Sequence, residues 1–120
     1  MAKILIAEDE DTLRRFVSRA LVMDGHEVVE AVDGADGLEQ LRDGGSYDLL
    51  LSDIRMPVMD GIELAHTAAG EFPSLKILLM TGYAEQRERA ETLSGIVVDV
   101  VSKPFSLPDI RAAVAEALVA

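Results

Sequence analysis

Glu8 and Asp9, Asp53, Thr81 and Lys103 suit phosphoryl chemistry, and each stands where a short apolar run stops. Glu8-Asp9 follows Ile4-Leu5-Ile6-Ala7, Asp53 follows Leu49-Leu50-Leu51-Ser52, Thr81 follows Ile77-Leu78-Leu79-Met80, and Lys103 comes soon after Val100-Val101. Three carboxylates brought together repel one another unless a hard cation sits among them. Mg²⁺ takes oxygen ligands and keeps several waters, so one or two carboxylates plus phosphate oxygens suit it. That metal and the Lys103 ammonium would neutralise a phosphoryl group in transfer. The Thr81 hydroxyl and the loop amides after Asp53 and Thr81 would donate hydrogen bonds to its oxygens. Asp53 needs no general base, because an ordinary carboxyl is ionised near neutral pH, and a carboxylate nucleophile forms an acyl phosphate. Singly, these residues have plainer roles, since acids cap helices, Thr often ends a strand and Lys before Pro is usually solvated. Their significance depends on being brought together.

The elements needed to do so are legible. Continuous apolar runs bounded by turn residues suit strands buried on both faces, expected at 4–7, 48–53, Lys76–Thr81 and 96–101. Glu27–Ala31 reads as a further strand. Between them lie helical patterns. Asp11-Thr12 is placed to cap a helix whose inward positions are Leu13, Phe16, Val17, Ala20 and Leu21, with Gly25 ending it. Asp33-Gly34 forms a turn before a helix marked by Ala35, Leu38 and Leu41. Met56-Pro57 and Asp60-Gly61 break the chain, and a third helix from Gly61 turns Ile62, Ala65, Ala68 and Ala69 inward, ending before Pro73. Residues 84–93 are helical but mostly charged, with Ala84, Ala90 and Leu93 as apolar positions, so this helix is expected to pack most weakly. Ser106 and Asp109 form a variant capping box before Ile110, Ala113, Val114, Ala117 and Leu118. The βα unit thus occurs five times, which predicts an α/β fold: a parallel, doubly wound sheet with right-handed crossovers. All strand ends then share one edge, where ligands collect in such sheets.

Bulk properties narrow the function. The 120 residues make one domain, and 49% hydrophobic content supports a folded core. A net charge of −11 disfavours nucleic-acid binding through a basic face. With no cysteine, disulfides, thiolate metal sites and thiol catalysis are excluded. No apolar run approaches the ~18 residues of a membrane span, and the start is unlike a secretory signal, so a cytoplasmic protein is expected.

Over essentially all 120 residues the chain resembles the receiver domain of two-component response regulators, with its CheY/flavodoxin-like fold. The motifs that carry the resemblance are Ile6-Ala7-Glu8-Asp9-Glu10, Ser52-Asp53-Ile54-Arg55-Met56-Pro57 with Asp60-Gly61, Met80-Thr81-Gly82 and Lys103-Pro104-Phe105. It implies the strand order 2-1-3-4-5 and makes Asp53 the phosphoacceptor. It further implies Mg²⁺ bound directly by Asp9 and Asp53, with Glu8 acting through water and the Arg55 backbone carbonyl as a further ligand. Thr81 is then the switch hydroxyl, Lys103 pairs with the phosphoryl group, and the Lys103-Pro104 peptide is cis. The implied partners are a histidine kinase or histidine phosphotransferase and a downstream protein, with homodimerisation through helix four, strand five and helix five. Arg87, Arg89, Val98 and Val100 belong to that surface. Chemistry would be limited to phosphoryl transfer and dephosphorylation on Asp53 itself.

Val100 departs from the family pattern, which has an aromatic switch residue three before the lysine. Signalling would then run through Thr81 and its loop, through Tyr83, or through the helix at 84–93. The chain ends just after the last helix, so a receiver without an output domain is expected, read by a separate protein or serving as a phosphate shuttle or sink. Among single-domain receivers it is most similar to a cell-cycle regulator that, unphosphorylated, promotes substrate delivery to the ClpXP protease. Leu118-Val119-Ala120 is small and apolar, as C-terminal degradation signals for that protease often are, although the same residues simply finish a helix. Two rivals remain. A haloacid-dehalogenase-like phosphatase would carry an acid two residues after its nucleophile, where this chain has Arg55. A pseudo-receiver, binding without phosphorylation, is disfavoured by the intact Glu8, Asp9, Asp53, Thr81 and Lys103 set.

Overall fold

A computed structural model describes residues 1–91, 93 and 95–120, with residues 84–86 and 91 described as backbone. The elements alternate as expected: β1 (Lys3–Ala7), α1 (Asp11–Met23), β2 (Glu27–Ala31), α2 (Gly34–Asp43), β3 (Leu49–Asp53), α3 (Gly61–Glu71), β4 (Lys76–Thr81), α4 (Ala84–Glu91), β5 (Asp99–Ser102) and α5 (Leu107–Leu118). All strand pairs are parallel, in the order β2-β1-β3-β4-β5.

Side chains alternate across a strand, and β1, β3 and β4 are apolar at nearly every position because both their faces are covered. Leu5, Leu50, Ile77 and Leu79 enter the core shared with α2, α3 and α4. Ile4, Ile6, Leu49, Leu51, Leu78 and Met80 enter the opposite core, against α1 and α5. The edge strands β2 and β5 are only partly buried. Among the described side chains of α4, Ala90 is the buried one, in keeping with a charged, weakly packed helix. The expected inward position of Ala84 and the helical continuation through residue 92 fall outside the described residues.

Three local expectations are corrected. The expected strand at 96–101 starts only at Asp99, because the amides of Ile96 and Val97 turn back to the Leu93 carbonyl, at 2.8 and 2.9 Å. Neither Asp11 nor Thr12 caps α1; Glu10 holds the N-cap position without a side-chain bond, and Asp11 is drawn to Arg14. On α1, Phe16 is 42% exposed whereas Arg14 and Ser18 are buried. Elsewhere the signals hold. Ser106 and Asp109 form the reciprocal capping box, Asp60 caps α3 by accepting from the Glu63 amide at 2.8 Å, and the left-handed Gly25 (φ +89°) follows α1. The Lys103-Pro104 peptide is cis.

Candidate functional site

Register brings the chemistry together. Ala7 pairs with Ser52, so the residues one step beyond, Glu8 and Asp53, leave neighbouring strands side by side. Asp53 pairs with Met80 and Thr81 with Ser102, which puts the Thr81 and Lys103 loops at the same edge. Glu8, Asp9, Asp53 and Lys103 line one open cavity of about 400 Å³ with Arg55, Gly82 and Tyr83.

The Lys103 ammonium lies 3.1 Å from both Asp53 Oδ1 and Glu8 Oε1. Carboxylate oxygens of Glu8, Asp9 and Asp53 all fall within 4.8 Å of one another. Asp53 is buried and accepts from the Ile54 amide at 3.0 Å, Glu8 is buried and accepts from the Glu10 amide at 3.1 Å, and Asp9 faces solvent. This oxygen-only set fits Mg²⁺, since two buried carboxylates and one exposed one leave room for metal-bound water.

The electrostatics show how tense the cluster is. Burial pushes the Glu8 carboxyl up to about 7, and the charge of Asp53 adds to that, against the pull of the Glu10 amide and Lys103. Burial likewise raises Asp53 above the usual carboxylate range, opposed mainly by Lys103. The Asp53 of the fold is thus not the ordinary carboxyl that sequence suggests. Lys103 is raised as well: burial alone would lower it, but Asp53 and Glu8 outweigh burial.

A carboxyl whose pKa rises on folding binds its proton more tightly in the native state, so it costs stability as pH climbs from the unfolded to the folded value. For Glu8 the loss sets in above pH ~4.5 and is complete above about 7, amounting to roughly 2–3 kcal/mol. Urea unfolding in chelator is expected to show Glu8→Gln gaining on wild type between pH 5 and pH 8. Parallel pH profiles for the two proteins would refute this.

Thr81 does not reach the acidic cavity. Its hydroxyl is turned to the next loop, accepting from the Tyr83 amide at 3.1 Å and donating to the Tyr83 carbonyl at 3.3 Å. It lines an adjoining pocket with Gly82, Tyr83, Arg87, Ser102 and Lys103. Arg55, whose backbone carbonyl was the expected ligand, sends its side chain across the mouth of the cavity. Its Nη1 donates to the Tyr83 hydroxyl at 2.9 Å and the guanidinium stacks over that ring at 5.2 Å. Arg87 ties α4 to β5 through the Val100 carbonyl at 3.0 Å and Ser102 Oγ at 2.9 Å. Arg89 instead leans towards Asp60, at 3.4 Å.

Sequence reasoning missed Arg14, which donates to the Glu8 carbonyl at 2.8 Å. The Asp11-to-Arg14 spacing was the available signal, since residues three apart on a helix are neighbours. The Arg55–Tyr83 bridge was missed too, because it joins loops 28 residues apart.

The chain is similar to known proteins over nearly its whole length. Residues 4–115 match the model of the response regulator receiver domain. The response regulator receiver protein CpdR of Brucella abortus (strain 2308) is 40% identical over 120 residues, covering 100% of this chain and 99% of that one. A CheY-like receiver domain protein from Methanospirillum hungatei superposes with a TM-score of 0.90 at 28% identity, over 99% of this chain and 94% of the other. TrrA from Thermotoga maritima, solved in complex with Mg(2+)-BeF, superposes with a TM-score of 0.86 at 29% identity, over 98% and 99%. With its strand order, its acidic edge and a family match spanning nearly its whole length, the chain belongs to the response regulator receiver family, a signalling module of two-component systems.

Proposed function

We propose that Asp53 is the phosphoacceptor of this receiver domain, charged by the phosphohistidine of a histidine kinase or histidine phosphotransferase. The observation that carries this reading is the Lys103 ammonium held 3.1 Å from Asp53 in a cavity that also gathers Glu8 and Asp9. An Asp53 carboxylate oxygen attacks phosphorus, the phosphorus–nitrogen bond breaks with its electron pair passing to the imidazole, and an acyl phosphate forms. Asp9 and Asp53 would hold Mg²⁺ directly, Glu8 through water, with the Arg55 carbonyl as a further ligand. That ion supplies charge neutralisation at the phosphoryl oxygens, and Lys103 supplies a second positive charge. The Mg(2+)-BeF complex of TrrA supports the metal assignment.

Acetyl phosphate with MgCl₂ is expected to add the mass of one phosphoryl group to the intact protein, and a chelator is expected to abolish the gain. No gain with Mg²⁺, or the same gain in chelator, would overturn the reading.

Full-length similarity to CpdR supports a role in which phosphorylation switches protein contacts that govern ClpXP-dependent proteolysis. A pull-down comparing Asp53→Ala with phosphorylated wild type checks which state binds the protease. Equal recovery of the protease by both forms would remove this role.

The switch would run through Tyr83. When the Thr81 hydroxyl turns to a phosphoryl oxygen, the Tyr83 amide loses its acceptor and the bridge to Arg55 is drawn with it. Val100 is half-buried and offers no ring to swing. Phosphorylation is therefore expected to shift the amide resonances of Tyr83 and α4, and unmoved signals there would sink this route. The face of α4, β5 and α5, where Arg87 joins α4 to β5, is the surface such a change would alter, for a target or for a second copy.

A further inference from the structure

We propose that Arg14 is a positioning residue that holds the acidic pair Glu8-Asp9 in register for the metal, an inference that rests on the Mg²⁺-dependent reading above. Arg14 is 6% exposed, whereas Arg15 and Arg19 on the same helix face solvent. Its guanidinium spans three parts of the fold. Nη1 donates to the Glu8 carbonyl at 2.8 Å, Nε to Glu30 of β2 at 3.0 Å, and Nη2 to Asp11 of α1 at 2.5 Å.

The Glu8 contact matters most. A carbonyl lies in the plane of its peptide, so fixing the Glu8 carbonyl fixes the Glu8–Asp9 peptide and the direction in which the Asp9 side chain leaves. The other groups of Glu8 are committed elsewhere: its amide to the Ala31 carbonyl, its carboxylate to the Glu10 amide and Lys103. Like charges drive the β1–α1 loop away from Asp53, and a charge-assisted bond from a rigid fork resists that drift. Lysine, a single flexible point charge, cannot serve three acceptors in fixed directions.

The test is calorimetric titration of the full chain with MgCl₂, beside phosphoryl uptake from acetyl phosphate. Arg14→Met keeps much of the buried stem and removes the fork. It is expected to weaken Mg²⁺ binding about tenfold, as loss of a ligand-orienting partner does, with uptake largely recovered at saturating Mg²⁺. Arg14→Lys is expected to restore part of the affinity. Val114→Ala, a core truncation in α5, is expected to lower stability and leave Mg²⁺ affinity unchanged. Wild-type affinity in folded Arg14→Met, or an equal loss in Val114→Ala, overturns the proposal. Should Arg14→Met fail to fold, Glu30→Gln loosens the fork at its bond to β2; a weakened affinity there supports the proposal and an unchanged one overturns it. If the wild type itself binds no Mg²⁺, the metal reading falls and this inference falls with it, an outcome distinct from equal binding by wild type and variants.

Discussion

Asp53→Asn is expected to take up no phosphoryl group from acetyl phosphate and, in metal-free buffer at pH 8, to unfold at a higher urea concentration than the wild type. The first effect follows from the nucleophile: an amide oxygen carries no charge with which to form the acyl phosphate. The second follows from burial. The Asp53 carboxyl is raised above its ordinary range because it is buried beside Asp9, against the opposing pull of Lys103. A raised carboxyl destabilises the fold once pH exceeds both its unfolded and folded values, and asparagine lifts that cost. Lys103 keeps its Glu8 partner in the variant, so no ammonium is stranded. Mg²⁺ is expected to narrow the difference, because an ion that binds the native wild type stabilises it by mass action. Intact-mass spectrometry and urea titration with and without MgCl₂ measure both effects. A phosphoryl adduct on Asp53→Asn would move the acceptor elsewhere, and a lower unfolding midpoint in chelator would show that Lys103 outweighs burial.

Gly61→Ala is expected to destabilise the protein by about 3 kcal/mol or more, among the larger costs of overpacking. A Cβ at Gly61 would stand 2.1 Å from the backbone oxygen of Asp53 and 2.9 Å from the Ile54 Cα. Both are main-chain atoms at the end of a central strand, so no side chain can swing aside. The Gly61 amide also donates to the Ile54 carbonyl at 2.8 Å, fastening the start of α3 to the same turn. The displaced atom belongs to Asp53, so the folded fraction is expected to phosphorylate more slowly too. Gly70→Ala is the control: on the same helix, an added methyl there meets nothing within 4 Å, and a gain of up to about 1 kcal/mol is expected from helix propensity. Thermal unfolding separates the two variants. A Gly61→Ala protein within about 1 kcal/mol of wild type would show that the β3–α3 turn yields more than a packed interior does.

The close approach at Gly61 shows why some of this protein could be read early and some could not. The sequence alone determined the three central strands, because the burial pattern along a strand is local. Leu49 to Leu51 and Ile4 to Ala7 are apolar on both faces, and that requires a covered, parallel sheet. It also determined which residues stand at the strand ends, and hence that Glu8, Asp9, Asp53 and Lys103 meet. The Ser106–Asp109 cap was equally legible, since its partners lie three residues apart.

Only the tertiary structure decided what depends on neighbours from elsewhere in the chain. Residues 96–98 have the apolar character of a strand, yet backbone bonds to Leu93 hold Ile96 and Val97 in a turn. Phe16 matches the helical stripe but stays largely exposed, while Arg14 is buried because Glu8, Glu30 and Asp11 converge on its guanidinium. Thr81 stands at its expected strand end, but its hydroxyl is taken by Tyr83. The acids at the site are perturbed by burial that no single stretch of sequence displays. Periodicity places a residue on a face. Which partner a long or polar side chain finds there depends on what another element brings within bonding distance.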